Sequence, residues 1–391
     1  MVVLAVAMSA PAHAQDGEAD PIPDPERPLE EPHDPFGFGV KKIAYSLGLK
    51  VVEVFDDNVL LTPDNEESDR ITVALLKTKL RYFGDAGGAT LNYRLRHRNY
   101  AERDEFDGPE HFFDAAGMVR LDPLRLEAGV DARILKEPFD VLQANDRVDS
   151  YFDREYVRTV ADFNRLDAEL EVARVRFTVD DDVLDRGDYL RLEAGLLVAA
   201  DVGDKTSAFV ELRNHETEYD EPDFGDLSIL RFSVGARGTW SEKTKGDVRI
   251  GVARADLEAG TAFPADDFTG FTAAVTVTWE PTPKEELRLE IRREPTESVV
   301  TGLTIVDGLR VTARLRPSEP WTIQGMVSWD HEQDPDGGND RRIIGLRGGV
   351  QWAFAEQAYA DAGALYRVAD ADDATLEFEN LRFSLGVGVE W

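Results

Sequence analysis

Runs of alternating apolar and polar residues fill most of this chain and restrict what it can fold into. In the run from Leu230 to Trp240, every second residue is apolar or small, and the residues between them are mostly polar. Similar runs recur at residues 124–134, 271–279, 309–315, 344–354 and 381–391. Alternation places successive side chains on opposite faces of a β-strand. The sequence therefore predicts an all-β protein whose strands each have one apolar face.

The connections between successive runs alternate between short and long. Residues 84–88, 122–123 and 241–245 form short turns, whereas residues 56–69 and 219–226 form longer acidic loops. In outer-membrane barrels, short turns face the periplasm and long loops face outward, whereas a soluble sandwich has no reason to sort loops in this way. The pattern predicts a transmembrane antiparallel up-and-down β-barrel with short periplasmic turns and long acidic external loops.

The strand count depends on how residues 155–179 are divided. If both chain ends lie in the periplasm, the number of strands must be even. We therefore divide this segment into a strand at 155–164 and a strand at 167–179, which gives about 18 strands. The alternative is 16.

Composition excludes several classes of function. The 391 residues include 77 acidic and 44 basic side chains, for a net charge of −33, so nucleic acid is not an expected partner. The chain has no cysteine, which excludes disulfide scaffolds, zinc–thiolate sites and cysteine nucleophiles. No apolar stretch after the first 15 residues reaches the roughly 18 residues of a transmembrane helix.

Three regions follow from these patterns. Residues 1–14 resemble a signal peptide, with an apolar segment and a cleavage site at Ala12-His13-Ala14; the usual basic start is missing, so we expect the signal to be truncated at its start. Residues 15–42 form a Pro-rich acidic stretch that we expect to be a disordered periplasmic linker. Residues 43–391 form the predicted barrel, which we expect in the bacterial outer membrane.

Most of the tryptophans lie at one end of the predicted strands. Amphipathic rings collect where lipid headgroups meet hydrocarbon, so this end is expected to hold the periplasmic aromatic girdle. The girdle residues are Trp240, Trp279, Trp321, Trp352 and Trp391.

The polar face of the runs is rich in arginine and in carboxylates. In a barrel these side chains point into the lumen, where they either pair across strands and stiffen the wall or line a charged permeation path. The candidates are Arg125, Arg191, Arg231, Arg237, Arg288, Arg310, Arg314, Arg347, Arg382, Glu127, Asp131, Glu193, Glu211 and Glu290. One strand does not fit this pattern, because Lys77 and Lys79 share the phase of Ile71 and Val73; a bulge or a phase switch near Leu76 is predicted there.

Neither catalysis nor a bound cofactor is predicted. The six histidines are scattered, and the chain contains none of the HExxH, G-x-S-x-G or phosphate-loop motifs, so we do not expect an enzyme. Acidic external loops could bind Ca²⁺ through carboxylates, and residues 330–340 have some likeness to a calcium loop without its spacing. Solvated loops that attract cations are the simpler interpretation.

The last strand resembles the closing strand of bacterial outer-membrane β-barrels, which ends on an aromatic residue and serves as the assembly signal. The residues that carry this resemblance are Phe383, Leu385, Val387, Val389 and Trp391. The resemblance implies an interaction with the outer-membrane assembly machinery, and the apolar face implies contact with outer-membrane lipid and lipopolysaccharide.

The first strand and loop resemble the opening of the putative β-barrel porin type 2 family. The shared features are Phe55-Asp56-Asp57-Asn58 and the Ser68-Asp69 start of the second strand; a proline usual in that strand is absent, with Leu76-Lys77 in its place. The family implies an outer-membrane barrel, sometimes associated with exopolysaccharide export. It implies no catalytic residues, and we expect Asp57 and Asn58 to hold the loop by side-chain-to-backbone hydrogen bonds.

Three hypotheses of function follow. The first is a porin-like passive channel for small ions or solutes, with a cation bias from the acidic external mouth. The second is a barrel for surface or exopolysaccharide export, or for envelope structure, without an open pore. The third is a soluble extracellular all-β binding protein. The sequence leaves substrate, pore radius and oligomeric state open.

Overall fold

The computed structural model describes residues 43–63, 66–84, 86–138, 147–180, 188–220, 225–260, 266–298, 302–335 and 340–391. The predicted signal peptide and linker lie outside these residues. Short 3₁₀ turns lie at Asp104–Phe106 and Ala374–Leu376. The strands, in chain order, are β1 Ile43–Asp56, β2 Asp69–Phe83, β3 Gly87–Tyr100, β4 Gly108–Leu121, β5 Leu124–Pro138, β6 Arg147–Asp162, β7 Leu166–Asp180, β8 Tyr189–Gly203, β9 Thr206–Tyr219, β10 Leu227–Ser241, β11 Thr244–Leu257, β12 Asp266–Thr282, β13 Glu285–Ser298, β14 Gly302–Ser318, β15 Trp321–Gln333, β16 Arg341–Ala353, β17 Ala358–Ala371 and β18 Phe378–Glu390.

The strands form one closed antiparallel barrel. Each strand pairs with its neighbours in chain order, and β1 pairs with β18 from Gly48 opposite Glu390 to Asp56 opposite Arg382. The sheet has 18 strands, so the predicted fold and strand count are confirmed. The tight turn predicted in the middle of residues 155–179 lies at 163–165, where Asn164 adopts a positive φ of 72°.

An apolar band covers the outer face. On β16, Trp352, Leu346 and Ile344 point outward and are each about half exposed. On β12 the outward-facing apolar residues run from Trp279 to Phe271. The next outward residues towards the external loop are the polar Thr269 and Asp267. Such outward series of roughly 9–11 residues match the span of a transmembrane β-strand. None of the helical segments among the described residues is long and apolar enough to cross a membrane.

The tryptophans proposed for the girdle point outward near the turn end of their strands. Trp240, Trp279, Trp321, Trp352 and Trp391 are 39% to 46% exposed. The rings of Trp321 and Trp352 stack with their centroids 5.9 Å apart. Phe383, Leu385 and Val387 of the closing strand face outward as well, and each is at least 50% exposed.

A charge placed in this band should be costly. Val327 lies near the middle of the outward series of β15 and is 50% exposed. Val327→Arg should lower the free energy of unfolding by about 2–4 kcal/mol, because arginine would face hydrocarbon. Ser328→Arg on the same strand is the matched control, since its side chain faces the interior. Urea titration in lipid vesicles measures both variants, and equal losses would contradict this assignment of faces.

The bulge predicted near Leu76 is wrong. The pairing of β2 with β1 and β3 runs without a register shift. Lys77 and Lys79 do share the phase of Ile71 and Val73, but that phase faces the interior. Ile71 and Val73 are buried there at 3% and 8% exposure because other parts of the chain cover them.

Candidate functional site: the lumen and its external constriction

Ion pairs cover much of the inner wall of β6–β11. The guanidinium of Arg154 lies 2.6 Å from Glu171 and 3.1 Å from Glu193, which are on the next two strands. Glu211 is 2.7 Å from Arg213 and 3.2 Å from Arg249, two strands away. Each carboxylate therefore receives charge-assisted hydrogen bonds from arginines around it, which satisfies groups that would be costly to leave alone in a low dielectric.

The sequence-predicted lumen residues all lie on the inner face, as the pairing register shows. Arg191 lies 3.0 Å from Glu193, and Arg288 lies 2.8 Å from Glu290. The other predicted residues contact partners outside the predicted set or line the wall between them; they are Arg125, Arg231, Arg237, Arg310, Arg314, Arg347, Arg382, Glu127, Asp131 and Glu211. Sequence reasoning missed Arg154, Glu171 and Arg213, although the same alternation identifies them.

The external ends of β13 and β14 bend into the lumen: β13 separates from β12, whereas β14 stays paired with β15 as far as Ile305 opposite Gln333. Pairing between β12 and β13 stops at Ala273 opposite Arg293, although β12 continues along β11 as far as Asp266. Beyond that point β13 pairs only with β14. We call residues 294–298 and 302–306 the β13–β14 arm.

Two ion pairs fasten the arm to strands on another part of the wall. Glu297 pairs with Arg191 of β8, and Glu294 lies 2.9 Å from Arg231 of β10. The hydroxyl of Thr217 on β9 donates a hydrogen bond of 3.4 Å to Glu297. Neither β8, β9 nor β10 neighbours β13 in the barrel, so these contacts require the arm to lie across the interior.

Apolar packing completes the docking of the arm. Leu303 is fully buried in a cluster with Leu227 and Ile229 of β10 and with Ala255 and Leu257 of β11. These wall residues face the interior and would contact water if the arm were absent. Their burial favours the docked position of the arm by the hydrophobic effect.

On β1–β3, two external loops fold onto the inner wall. Val59 and Leu60 of the first loop and Phe106 of the second pack against inward-facing residues, among them Val54 and Ile71. Val59 is fully buried and Phe106 is 2% exposed. The external half of the lumen is therefore narrowed by these loops on β1–β3 and by the arm on β8–β11.

A buried network joins the first loop to the closing strand. The carboxylate of Asp56 lies 2.8 Å from the Arg382 guanidinium and accepts a hydrogen bond of 2.5 Å from Asn380. The Asn58 amide donates to the carbonyls of Thr62 at 2.8 Å and Glu379 at 2.9 Å. The Leu381 N–H donates to the Asp57 carboxylate at 2.6 Å. The side-chain-to-backbone bonds predicted for Asp57 and Asn58 are thus present.

A second buried contact joins β1 to β17 across β18, nearer to the periplasmic end of the barrel. The Lys50 ammonium of β1 lies 3.1 Å from the Asp361 carboxylate of β17, and both side chains are nearly inaccessible to solvent. They meet above Gly386 of β18, where a Cβ would lie 2.8 Å from the Asp361 carboxylate. A larger residue there would have to displace the ends of these two side chains.

Asp69 holds the second external loop. Its carboxylate accepts hydrogen bonds of 3.1–3.2 Å from the backbone N–H groups of Ala101, Glu102 and Arg103. Asp69 is only 3% exposed. This arrangement gives a structural role to the Ser68-Asp69 feature of the sequence.

Removing this acceptor should loosen the loop. Asp69→Ala removes the acceptor of the Ala101, Glu102 and Arg103 N–H groups, so trypsin should cleave after Arg103 severalfold faster than in the native chain. Asp69→Asn keeps one acceptor oxygen and should fall between the two. Asp104→Ala in the exposed part of the loop is the control. Unchanged cleavage of Asp69→Ala would show that Asp69 does not order this loop.

The described residues contain no group of three or more His, Asp or Glu side chains placed to hold a metal ion. The suggested calcium loop at 330–340 falls partly outside the described residues, at 336–339.

Comparison with known families places the chain among outer-membrane barrels. The sequence model of the family described as "Putative beta-barrel porin 2" matches residues 148–391. The match lies beyond the first strand and loop, on which the resemblance in the sequence was based, yet it identifies the same family. No curated protein matches the chain.

Solved structures with the same fold are outer-membrane proteins. The outer membrane protein opdK from Pseudomonas aeruginosa is 11% identical with a TM-score of 0.51, and the alignment covers 89% of this chain and 99% of that one. OccAB3 from Acinetobacter baumannii (10% identity) and a BenF-like porin from Pseudomonas fluorescens Pf-5 (8%) each give a TM-score of 0.50 over the same shares. At these identities the likeness concerns the fold alone.

Proposed function

Because the chain belongs to the family described as "Putative beta-barrel porin 2", we propose that its barrel is a passive channel for small charged or polar solutes. The protein is a porin-like β-barrel of the bacterial outer membrane. The observation that carries the channel proposal is the inner wall, whose paired charges, such as Glu211 with Arg213 and Arg249, suit a water-filled interior.

The external mouth supports a cation bias. The described parts of the external loops carry many carboxylates and a single basic residue, Arg103, which pairs with Glu67 and Glu105. An acidic mouth raises the local concentration of cations. On the lumen wall between this mouth and the periplasm, arginine and carboxylate charges offset each other. The cation selectivity is therefore set at the mouth and is weak.

Planar-bilayer recording of the detergent-purified protein across a KCl gradient tests this function. Stepwise conductance with a cation-selective reversal potential supports the channel and its acidic mouth. Steps with anion selectivity would keep the channel and reject the bias, because the lumenal arginines would then outweigh the loops. Silence from protein that is folded by gel mobility would reject the open channel.

Neutralising the mouth should weaken the cation preference. The triple variant Asp372→Asn, Asp373→Asn and Glu377→Gln removes three negative charges from the last external loop, so the reversal potential should move towards zero. The shift should shrink in high salt, since Asp372 is exposed and Asp373 and Glu377 are partly exposed, so that salt screens their charges. The control is Glu356→Gln in the turn at the opposite end, which should change the reversal potential less. Equal shifts would place the source of selectivity elsewhere.

The second candidate is a barrel for surface-polysaccharide export or envelope structure without an open pore. The arm and the first two loops favour it, because they occupy part of the external half of the lumen. Neither candidate requires catalysis or a cofactor. We further expect lipopolysaccharide around the external end and recognition of Phe383, Leu385, Val387, Val389 and Trp391 by the assembly machinery.

A further inference from the structure

Four charged residues interrupt the lipid-facing surface on two neighbouring strands. On the outer face of β6 and β7, Glu155 lies opposite Arg174, and Asp153, which is only 7% exposed, lies opposite Arg176. The Arg174 guanidinium is 3.9 Å from Asp153 and 3.6 Å from Glu155. We call these four residues the β6–β7 charged patch.

The patch lies within the apolar band, because outward apolar residues surround it. On the periplasmic side of the patch, Val157 and Val172 are 57% and 51% exposed. On the β8 side, Arg174 pairs with Leu192, which points outward and is 49% exposed. On the β5 side, Ile134 extends the apolar series above the level of the patch and is 45% exposed.

Charged side chains on a lipid-facing surface destabilise a barrel. On the two flanking strands, β5 and β8, the outward residues remain apolar at the level of the patch, whereas on β9 the outward residue at this level is Glu216, which belongs to the polar external collar. A protein surface covering the patch would remove the conflict with lipid.

The tryptophans are confined to the other half of the barrel. All six lie on β10–β18 or at the end of the chain, and β1–β9 have none. Tryptophan anchors a surface at the boundary between hydrocarbon and headgroups. The half with tryptophan is thus the better suited to lipid, whereas the half with the charged patch carries Tyr82, Phe83 and Phe163 at its turn end instead.

We infer that the β6–β7 charged patch is the contact surface for a second copy of this chain. Two copies related by a two-fold axis along the membrane normal would place β6 of one copy against β7 of the other at the same depth. Glu155 would then face Arg174 and Arg176 of the other copy. The acidic strand lies beside the basic one, so the patch is complementary to itself, and contact between copies would withdraw its charges from lipid.

Single cysteines can test this contact, because the native chain has none. Val157→Cys and Val172→Cys border the patch, and Leu346→Cys, 53% exposed on β16, is the matched control in the half with tryptophan. Isolated outer membranes are treated with a short bis-maleimide and analysed on denaturing gels. A dimer band with the first two variants, several times stronger than with the control, is expected. Equal bands in all three variants, or no band, would overturn the inference.

Charge reversal tests complementarity directly. A basic copy carries Asp153→Arg and Glu155→Arg, and an acidic copy carries Arg174→Glu and Arg176→Glu, each with Val157→Cys and its own tag. Each copy alone should lose the dimer band through repulsion, and co-expression should restore it as a mixed dimer. Native-level bands from either copy alone would overturn the inference. Gel mobility checks folding, and the cysteine test on the otherwise native chain remains decisive if a reversed copy fails to fold.

Discussion

Replacing Arg191 with methionine should raise the single-channel conductance severalfold while the barrel stays folded. Arg191 is 2% exposed and pairs with Glu297 of the β13–β14 arm. Breaking a buried pair by removing one partner typically costs about 3–5 kcal/mol, because the remaining charge stays desolvated. The arm can escape that cost by moving off the wall and returning Glu297 to water. Undocking opens the lumen, and the wall pairing of β8 does not depend on the arm.

Arg231→Met is the matched control for this prediction. The Arg231–Glu294 pair also holds the arm, but its side chains are 18% and 31% exposed, so water already solvates them in part. Pairs of this kind contribute about 0–1 kcal/mol, and the increase in conductance should be correspondingly smaller. Recordings of both variants at matched salt decide the matter. Native conductance in Arg191→Met would show that the arm does not limit permeation.

The wall of the barrel could be predicted from the sequence because alternation encodes which face each residue occupies. The run that begins at Leu381 lies in β18 as far as Glu390, with Phe383 and Leu385 outward and Arg382 and Ser384 inward. Each strand pairs with the next one along the chain, so the division at 163–165 followed from chain order. Closure of the barrel needed no further information.

The constriction could not be predicted, because it depends on contacts between residues distant in sequence, such as Arg191 with Glu297. The sequence nevertheless contains one indication of the constriction. Ile71 and Val73 occupy the inward phase of β2, and a lumen wall tolerates apolar residues where another element covers them. We attributed that anomaly to a bulge. Leu227 and Ile229 carry the same signal beneath the arm.

Asp56→Ala should destabilise the barrel by about 3–5 kcal/mol, the second large effect expected of a single substitution. The Asp56 side chain is fully buried, and the Arg382 guanidinium 2.8 Å away is 7% exposed, so the variant leaves arginine buried without the carboxylate. Glu53→Ala on the same strand is the control: Glu53 faces outward, is 51% exposed and lies 4.0 Å from Arg70. That pair is worth about 0–1 kcal/mol. Urea unfolding followed by tryptophan fluorescence measures both.

A double variant separates two roles of the Asp56 carboxylate: neutralising Arg382 and accepting hydrogen bonds from Asn58 and Asn380. In Asp56→Leu with Arg382→Met no buried charge remains, and apolar replacement of a buried pair is often neutral. The double variant should therefore recover most of the stability that Asp56→Ala loses. A remainder of about 1 kcal/mol per bond is expected, because Asn58 and Asn380 also donate hydrogen bonds to the Asp56 carboxylate. If the double variant is as unstable as Asp56→Ala, neutralising Arg382 is not the main role of the carboxylate. Its main contribution would then be to hold the first loop against β18, where the barrel closes.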